Sequence, residues 1–132
     1  MQDIRTSNFL RRALQADAVM SGAAALLLLL GASVLEPLLG LPAALLRYAG
    51  AVLVPFVVFV GFIAIRAEIS RSAVWGIIAA NAAWTATSLA LLVGGWVAPT
   101  LLGYLFVIVQ AAAVAIFAEL QLIGLRRQTV TA

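Results

Sequence analysis

Residues 13–35 read ALQADAVMSGAAALLLLLGASVL, a stretch with one charged residue, Asp17. A membrane helix needs about 20 mostly apolar residues to cross about 30 Å of hydrocarbon. The stretch meets that requirement, and comparable apolar stretches follow at residues 43–65, 73–97 and 101–125. Lipid cannot form hydrogen bonds with the unpaired backbone groups at open strand edges, so each stretch is predicted to be helical. The predicted fold class is all-α: a bundle of four transmembrane helices in two hairpins, forming one domain over the whole chain.

Composition supports a membrane protein and excludes several kinds of site. Of the 132 residues, 65% are hydrophobic and 10% are charged, whereas soluble domains carry about 25% charged residues. The chain contains no cysteine and no histidine, so disulfide scaffolds, thiol catalysis and the usual zinc or haem ligands are excluded. We expect no cofactor and no metal site. The net charge of +3 comes from arginines at the ends of the apolar stretches, so the expected partner is the lipid bilayer and not nucleic acid.

The arginines predict the orientation. Seven of the eight lie before span one, between spans two and three, or after span four: Arg5, Arg11, Arg12, Arg66, Arg71, Arg126 and Arg127. Arg47 alone lies on the other side, where its charge can reach the membrane surface along a flexible side chain. Because basic residues accumulate on the cytoplasmic side, both termini are predicted to be cytoplasmic, in a bacterial inner membrane.

An internal repeat is one interpretation of a match within the chain. Residues 26–40 align with residues 89–103 at a spacing of 63, with identical leucines, glycines and a valine. A duplicated hairpin would give a parallel repeat about an axis along the membrane normal. Shared membrane composition explains the match equally well, and both explanations stay open.

Three polar residues at membrane depth form the candidate site: Asp17, Asn81 and Glu119. Asp17 lies five residues inside Arg12, and Glu119 lies seven residues before Arg126. Both carboxyl groups and Asn81 therefore fall in the cytoplasmic half of the bundle, where they could converge and share a proton or hold a cation. The alternative is that both carboxylates sit at the interface in a structural role.

Other polar residues predict helix packing. Thr85 and Ser88 share a face of span three with the candidate asparagine, and Gln110 shares a face of span four with Gln121. Amides and hydroxyls on such faces bond between membrane helices. Thr85, Ser88 and Gln110 are therefore expected to form a packing stripe. Glu119 points away from the two glutamines of its own helix, because residues two apart lie on opposite sides.

Four segments carry a resemblance to a known group of proteins: residues 14–22, LPAALLR at 41–47, NAAW at 81–84 and GWVAPT at 95–100. Together they resemble uncharacterised small four-helix integral membrane proteins of proteobacteria, over nearly the whole chain. The resemblance implies a fold and a membrane location, and it implies no activity.

Small multidrug resistance transporters also have four helices and a carboxylate in the first. The chain departs from that family because Asp17 would replace a glutamate and its neighbours do not match. An antiparallel dimer of that kind also needs a balanced arginine distribution, whereas this one is strongly biased. Membership is therefore rejected.

The expected function is that of a non-enzymatic accessory or scaffold protein, packing against itself as a homo-oligomer or against another membrane protein. The alternative is a small proton- or cation-coupled transporter that uses Asp17, Asn81 and Glu119. An enzyme is not expected, because serine or threonine nucleophiles would lack a histidine or lysine base.

Overall fold

The computed structural model describes the backbone of residues 2–131 and the side chains of residues 8–127. Within that part of the chain all regular structure is helical: α1 (Gln2–Leu39), α2 (Ala43–Ile65), α3 (Arg71–Val93) and α4 (Leu101–Thr131). Each helix contains a segment long and apolar enough to cross a bilayer. The predicted all-α fold of four long apolar helices is confirmed.

Three close helix pairs define the packing of the bundle. α1 lies close to both α2 and α4, and α3 lies close to α4, whereas α2 and α3 approach each other less closely. At one end of the molecule, which we call the basic end, the start of α1, the 66–70 connection and the late part of α4 meet. Phe9 and the Arg127 guanidinium lie 4.4 Å apart there, so α1 begins at the same end at which α4 finishes.

Two glycines allow α4 and α2 to cross α1 at close range. A Cβ atom on Gly124 would lie 2.9 Å from Leu10 Cβ, and one on Gly50 would lie 2.9 Å from Leu29 Cγ. Both distances are shorter than side-chain carbons tolerate, so α4 and α2 can approach α1 only because these positions lack a side chain. Small residues are the usual means of close approach between membrane helices.

The first helix continues past its expected end at residue 35. Pro37 lies inside α1, and the helix runs to Leu39. Proline has no backbone N–H to donate to the Ser33 carbonyl oxygen, so α1 continues past Pro37 without that one helical hydrogen bond. Gly40 then ends α1 with a left-handed φ of +68°, and its N–H donates to the Glu36 carbonyl oxygen at 2.8 Å.

A single threonine joins the end of α1 to the start of α4. The Thr100 N–H donates to the Leu39 carbonyl oxygen at 3.0 Å, and the Thr100 hydroxyl donates to the Leu38 carbonyl oxygen at 2.7 Å. The same hydroxyl accepts the Gly103 N–H at 3.1 Å. Thr100 therefore satisfies backbone groups of two helix ends at once, and we call this contact the α1–α4 joint.

The third helix begins and ends earlier than the predicted span of 73–97. Ser70 accepts the Ala73 N–H at 3.2 Å and caps the first turn, so Arg71 is already helical. At the other end Val93 is the last helical residue, because Gly94 and Gly95 follow and Gly95 has a φ of +75°. α4 extends beyond its predicted end at 125, as far as Thr131.

Arginine side chains fasten the basic end. Arg11 Nη1 donates to the carbonyl oxygens of Ala64 at 2.5 Å and Arg66 at 2.7 Å, where α2 ends. A cation is favoured at these carbonyl groups by the helix dipole. Arg71 Nη1 donates to the Leu125 carbonyl oxygen at 3.3 Å and ties α3 to α4.

Arg47 lies at the opposite end, where its Nη2 donates to the Ser33 hydroxyl at 2.9 Å. Among the described arginine side chains, Arg47 thus lies at one end and the others lie at the basic end, as predicted from their positions in the sequence. Arg5 lies outside the residues whose side chains the structure describes.

The two segments that align at a spacing of 63 differ in structure. Residues 26–39 all belong to α1, whereas residues 89–103 leave α3, pass through a connection and enter α4. Gly40 ends a helix, and its aligned partner Gly103 lies in the first turn of one. The sequence match is therefore not accompanied by matching structure over these residues.

Candidate functional site

Three polar side chains are buried in the interior of the bundle. Asp17 on α1, Asn81 on α3 and Gln121 on α4 expose 0%, 3% and 0% of their surfaces. The half-buried Ser21, one turn along α1, joins them. We call these four residues the Asp17 cluster. Buried polar groups that come from three helices are unusual enough to make this the candidate site.

Hydrogen bonds close the cluster around the carboxylate. Asp17 Oδ2 accepts Asn81 Nδ2 at 2.9 Å and Gln121 Nε2 at 2.7 Å. Asn81 Nδ2 also donates to Gln121 Oε1 at 3.1 Å, which completes a triangle. Asp17 Oδ1 accepts the Ser21 hydroxyl at 3.0 Å. The three partners of Asp17 are neutral, and no arginine among the described side chains bonds to it.

The helix period explains why Asp17 points inward. Leu10, Leu14, Asp17 and Ser21 follow one another at spacings of four, three and four residues, and Leu28 continues the same face. That spacing keeps all of them on one side of a helix. Because the three leucines are buried, the face belongs to the core, and Asp17 is carried into the core with it.

Apolar layers enclose the Asp17 cluster on both sides. Towards the basic end lies one buried cluster that includes Leu14, Ile77 and Leu125. Towards the opposite end lies a second that includes Ala25, Leu28 and Val107, and Phe56 of α2 packs against both. The polar groups are therefore separated from either end of the bundle by hydrocarbon side chains.

The predicted packing stripe lies nearer the opposite end. Gln110 Oε1 accepts Trp84 Nε1 at 2.9 Å, and Gln110 Nε2 donates to the Ser88 hydroxyl at 3.0 Å. The Thr85 hydroxyl donates to the Asn81 carbonyl oxygen at 3.0 Å and to that of Ala111 at 3.4 Å. The structure thus places Thr85, Ser88 and Gln110 at the contact between α3 and α4.

Of the three residues grouped from the sequence, the structure brings two together. Asp17 and Asn81 are in direct contact, whereas Glu119 is exposed on the outer side of α4. Glu119 and the buried Gln121 are two residues apart, which is about 200° of helix rotation. Gln121 therefore occupies the position in the cluster that was predicted for Glu119 from its depth along the span.

Two members of the cluster were not grouped with it from the sequence. Ser21 lies four residues after Asp17, a spacing that brings two side chains together on a helix. Gln121 shares its inward face with Gln110, and both take part in contacts with α3. The angular position of each polar residue around its helix axis, taken from the sequence, would have indicated that Ser21 and Gln121 belong to the cluster.

The arrangement limits the chemistry that the cluster can perform. Among the described residues no group of three histidine, cysteine, aspartate or glutamate side chains could hold a metal ion. The cluster combines one carboxylate, two amides and one hydroxyl. Such groups can exchange hydrogen bonds and bind a proton, and they can hold three helices in register.

Comparison with known proteins adds no assignment. No protein-family model matches the chain, and the searches of curated proteins and of solved structures also returned no match. Function must therefore be inferred from the chain's own residues.

Proposed function

We propose that this chain is a non-enzymatic multi-pass protein of a bacterial inner membrane that acts by lateral packing, with the outer face of α3 as its contact surface. Seven exposed residues of α3 share one side of the helix, and none is larger than threonine: Gly76, Ala79, Ala80, Ala83, Ala86, Thr87 and Ala90. We call them the α3 outer stripe. At 100° per residue they occupy about a third of the helix circumference.

The contrast with the other helices carries the proposal. α1, α2 and α4 present large side chains outward, among them Leu30, Val58 and Val109. The large hydrophobic residues that α3 exposes are Trp75, Leu89 and Val93, and their positions along the helix place them beside the stripe and not within it. A smooth helix face allows another helix to approach closely, which is the usual basis of association between membrane helices.

A hydroxyl within the stripe supports the same conclusion. The hydroxyls of Thr85 and Ser88 donate to carbonyl oxygens four residues earlier on α3. The hydroxyl of Thr87, exposed on the stripe, makes no hydrogen bond with the residues that the structure describes. A polar group facing hydrocarbon is unfavourable, and a partner helix would supply an acceptor for it.

A second copy of the chain is the partner that the stripe fits best. Two-fold association places the same patch on both subunits, so the patch must be complementary to itself. A stripe of glycine and alanine meets this condition, because two such faces can approach without either needing a pocket. The resemblance to small proteobacterial membrane proteins is compatible with this role, and it assigns no activity.

The arginine distribution supports an orientation for this unit. Arg11, Arg66, Arg71 and Arg126 gather at the basic end, where α1 begins and α4 finishes. By the positive-inside tendency that end faces the cytoplasm. Two parallel copies would then meet along α3 with their basic ends on the same side.

Cysteine cross-linking in the membrane tests the contact. The chain contains no cysteine, so an introduced thiol is the only one present. We expect Ala83→Cys to form a disulfide-linked dimer for most of the protein on mild oxidation, because the stripe brings the two backbones within disulfide reach, about 4.4–6.8 Å between Cα atoms. Val109→Cys, on the exposed side of α4 at a comparable depth, is the matched control and should form little disulfide-linked dimer.

The outcome can contradict the proposal in two ways. Equal cross-linking of both variants would show random collision, and absence of the Ala83→Cys dimer would exclude a symmetric contact through the stripe. A covalent adduct with a different protein would place the partner outside this chain and reject self-association.

A further inference from the structure

The interior of the bundle contains a carboxylate with uncharged partners only, which lateral packing does not require. A charged group in a low-dielectric interior is expensive unless a cation or a full set of hydrogen bonds compensates it. Asp17 is completely buried, and its hydrogen-bond partners among the described residues are Ser21, Asn81 and Gln121. None of these partners carries a charge, so the carboxylate is held by dipoles alone.

The surrounding charges are directed elsewhere. On α1, the guanidinium of Arg11 bonds to carbonyl oxygens at the end of α2. On α3, Arg71 bonds to the Leu125 carbonyl oxygen, and on α4 Glu119 is exposed on the far side. α2 contributes the apolar Phe56 at the level of the cluster. The described groups that bond to Asp17 are therefore two amides and one hydroxyl, and no charged side chain is among them.

We propose that the Asp17 cluster is an intramembrane proton-binding site. The ligand is a single proton, which adds to Asp17 Oδ2 and converts the carboxylate into a neutral carboxylic acid; no other bond is formed or broken. The two amides of the triangle, on Asn81 and Gln121, can form hydrogen bonds with both the carboxylate and the carboxylic acid.

Amide side chains can serve either state because one end donates and the other accepts. In the arrangement described, Asn81 Nδ2 and Gln121 Nε2 both donate to Asp17 Oδ2, and Gln121 Oε1 accepts from Asn81 Nδ2. Turning both amides by half a turn reverses the triangle. The Asp17 hydroxyl then shares its proton between Gln121 Oε1 and Asn81 Oδ1, and Gln121 Nε2 donates to Asn81 Oδ1.

Reversal needs no movement of the helices. The amide nitrogen and oxygen are nearly equal in size, so each half-turn exchanges atoms of similar shape at the same positions. Asn81 Oδ1 accepts no hydrogen bond from the described residues in the present arrangement, so it is available as the new acceptor. The Ser21 hydroxyl can stay on Asp17 Oδ1 in both states.

The chain composition allows a direct test by solid-state NMR in lipid bilayers. Aspartate occurs at positions 3 and 17, and asparagine at positions 8 and 81. In a variant carrying Asp3→Ser and Asn8→Ser, carboxyl-¹³C aspartate and amide-¹⁵N asparagine, introduced by cell-free synthesis, report on Asp17 and Asn81 alone. Both substituted positions differ from the four residues of the cluster, and Asn8 is exposed.

We expect the Asp17 carboxyl shift to move reversibly between two plateaus as the pH is changed, corresponding to one proton per chain. The Asn81 amide signal should move at the same pH, because its amide turns with the proton. The pH range is limited to that in which circular dichroism shows unchanged helix content. A carboxyl shift that stays constant over this range overturns the proposal, and a carboxyl transition without an Asn81 response overturns the amide reversal.

One further variant separates the Asp17 transition from self-association through the α3 outer stripe. Ala83→Leu, placed on the α3 outer stripe and away from the cluster, should abolish self-association and leave the Asp17 transition in place. Loss of the transition in that variant would contradict an independent proton site.

Discussion

Replacing Gly103 with alanine is expected to destabilise the fold by about 3 kcal/mol, the estimate for overpacking at a site that cannot relax together with lost hydrogen bonds. A Cβ atom at this position would overlap the Leu39 carbonyl oxygen and would lie 2.9 Å from the Leu39 carbonyl carbon and 3.0 Å from Pro99 Cβ. These neighbours are backbone or ring atoms, so they cannot turn aside. The start of α4 would have to move away from the end of α1.

That movement would open the α1–α4 joint. The Thr100 N–H and hydroxyl would lose their contacts with the Leu39 and Leu38 carbonyl oxygens, each bond being worth about 1 kcal/mol. The measurement is the midpoint of detergent-induced unfolding, followed by circular dichroism in mild micelles with increasing dodecyl sulfate.

Gly61→Ala is the matched control for this substitution. Gly61 also lies within a helix, and a Cβ atom there would meet no other atom within 4 Å. Because alanine favours helix more than glycine, this variant should be as stable as the wild type or slightly more so. Equal midpoints for the two variants would show that the α1–α4 joint does not hold the helices together.

Replacing Gln121 with leucine is expected to destabilise the fold by about 2 kcal/mol. The variant removes the Gln121 Nε2 donor from Asp17 Oδ2 and the Gln121 Oε1 acceptor from Asn81. A hydrogen bond between membrane helices is worth about 0.6 kcal/mol on average, because the unfolded chain in lipid also finds partners. The buried carboxylate adds to that loss, since it would remain inside with one donor fewer.

Glu119→Leu is the corresponding control on the same helix. Glu119 is exposed, so an apolar side chain there should not weaken the fold, and the same unfolding assay measures both variants. A larger loss for Glu119→Leu than for Gln121→Leu would show that Glu119, and not Gln121, is the polar side chain of α4 that stabilises the bundle.

The four helices follow from the sequence because the apolar stretches are long and lipid permits no other regular structure for them. Their ends are less predictable, since local bonds decide them. Pro37 indicated an early end of α1, yet a left-handed Gly40 and the contact with Thr100 allow one more turn. The Thr100 contact joins residues 62 positions apart, which no local pattern contains.

The candidate site was half predictable. Depth along each span brought Asp17 and Asn81 together, and their contact at 2.9 Å agrees with that expectation. Depth ignores rotation about the helix axis, so it selected Glu119 in place of Gln121, which lies on the opposite side of α4. The face shared by Leu10, Leu14 and Asp17 already indicates that this carboxylate points inward.

Helix pairing could not be obtained from the sequence. Spans of similar hydrophobicity do not reveal which pairs are neighbours, and the close approach of α1 and α4 depends on two glycines far apart in the chain. Gly124 admits Leu10 at one end, and Gly103 admits Leu39 at the other. The α3 outer stripe becomes significant only after this pairing has fixed which side of α3 stays uncovered.

We propose above that the uncovered side of α3 joins two copies of the chain in the membrane. Native mass spectrometry of the protein extracted mildly from its own membrane tests it most directly, with wild type compared with Ala83→Leu. The account predicts dimers for the wild type and monomers for Ala83→Leu, because a leucine in the α3 outer stripe keeps the two helices apart. A monomeric wild type, or dimers that Ala83→Leu leaves intact, would contradict it.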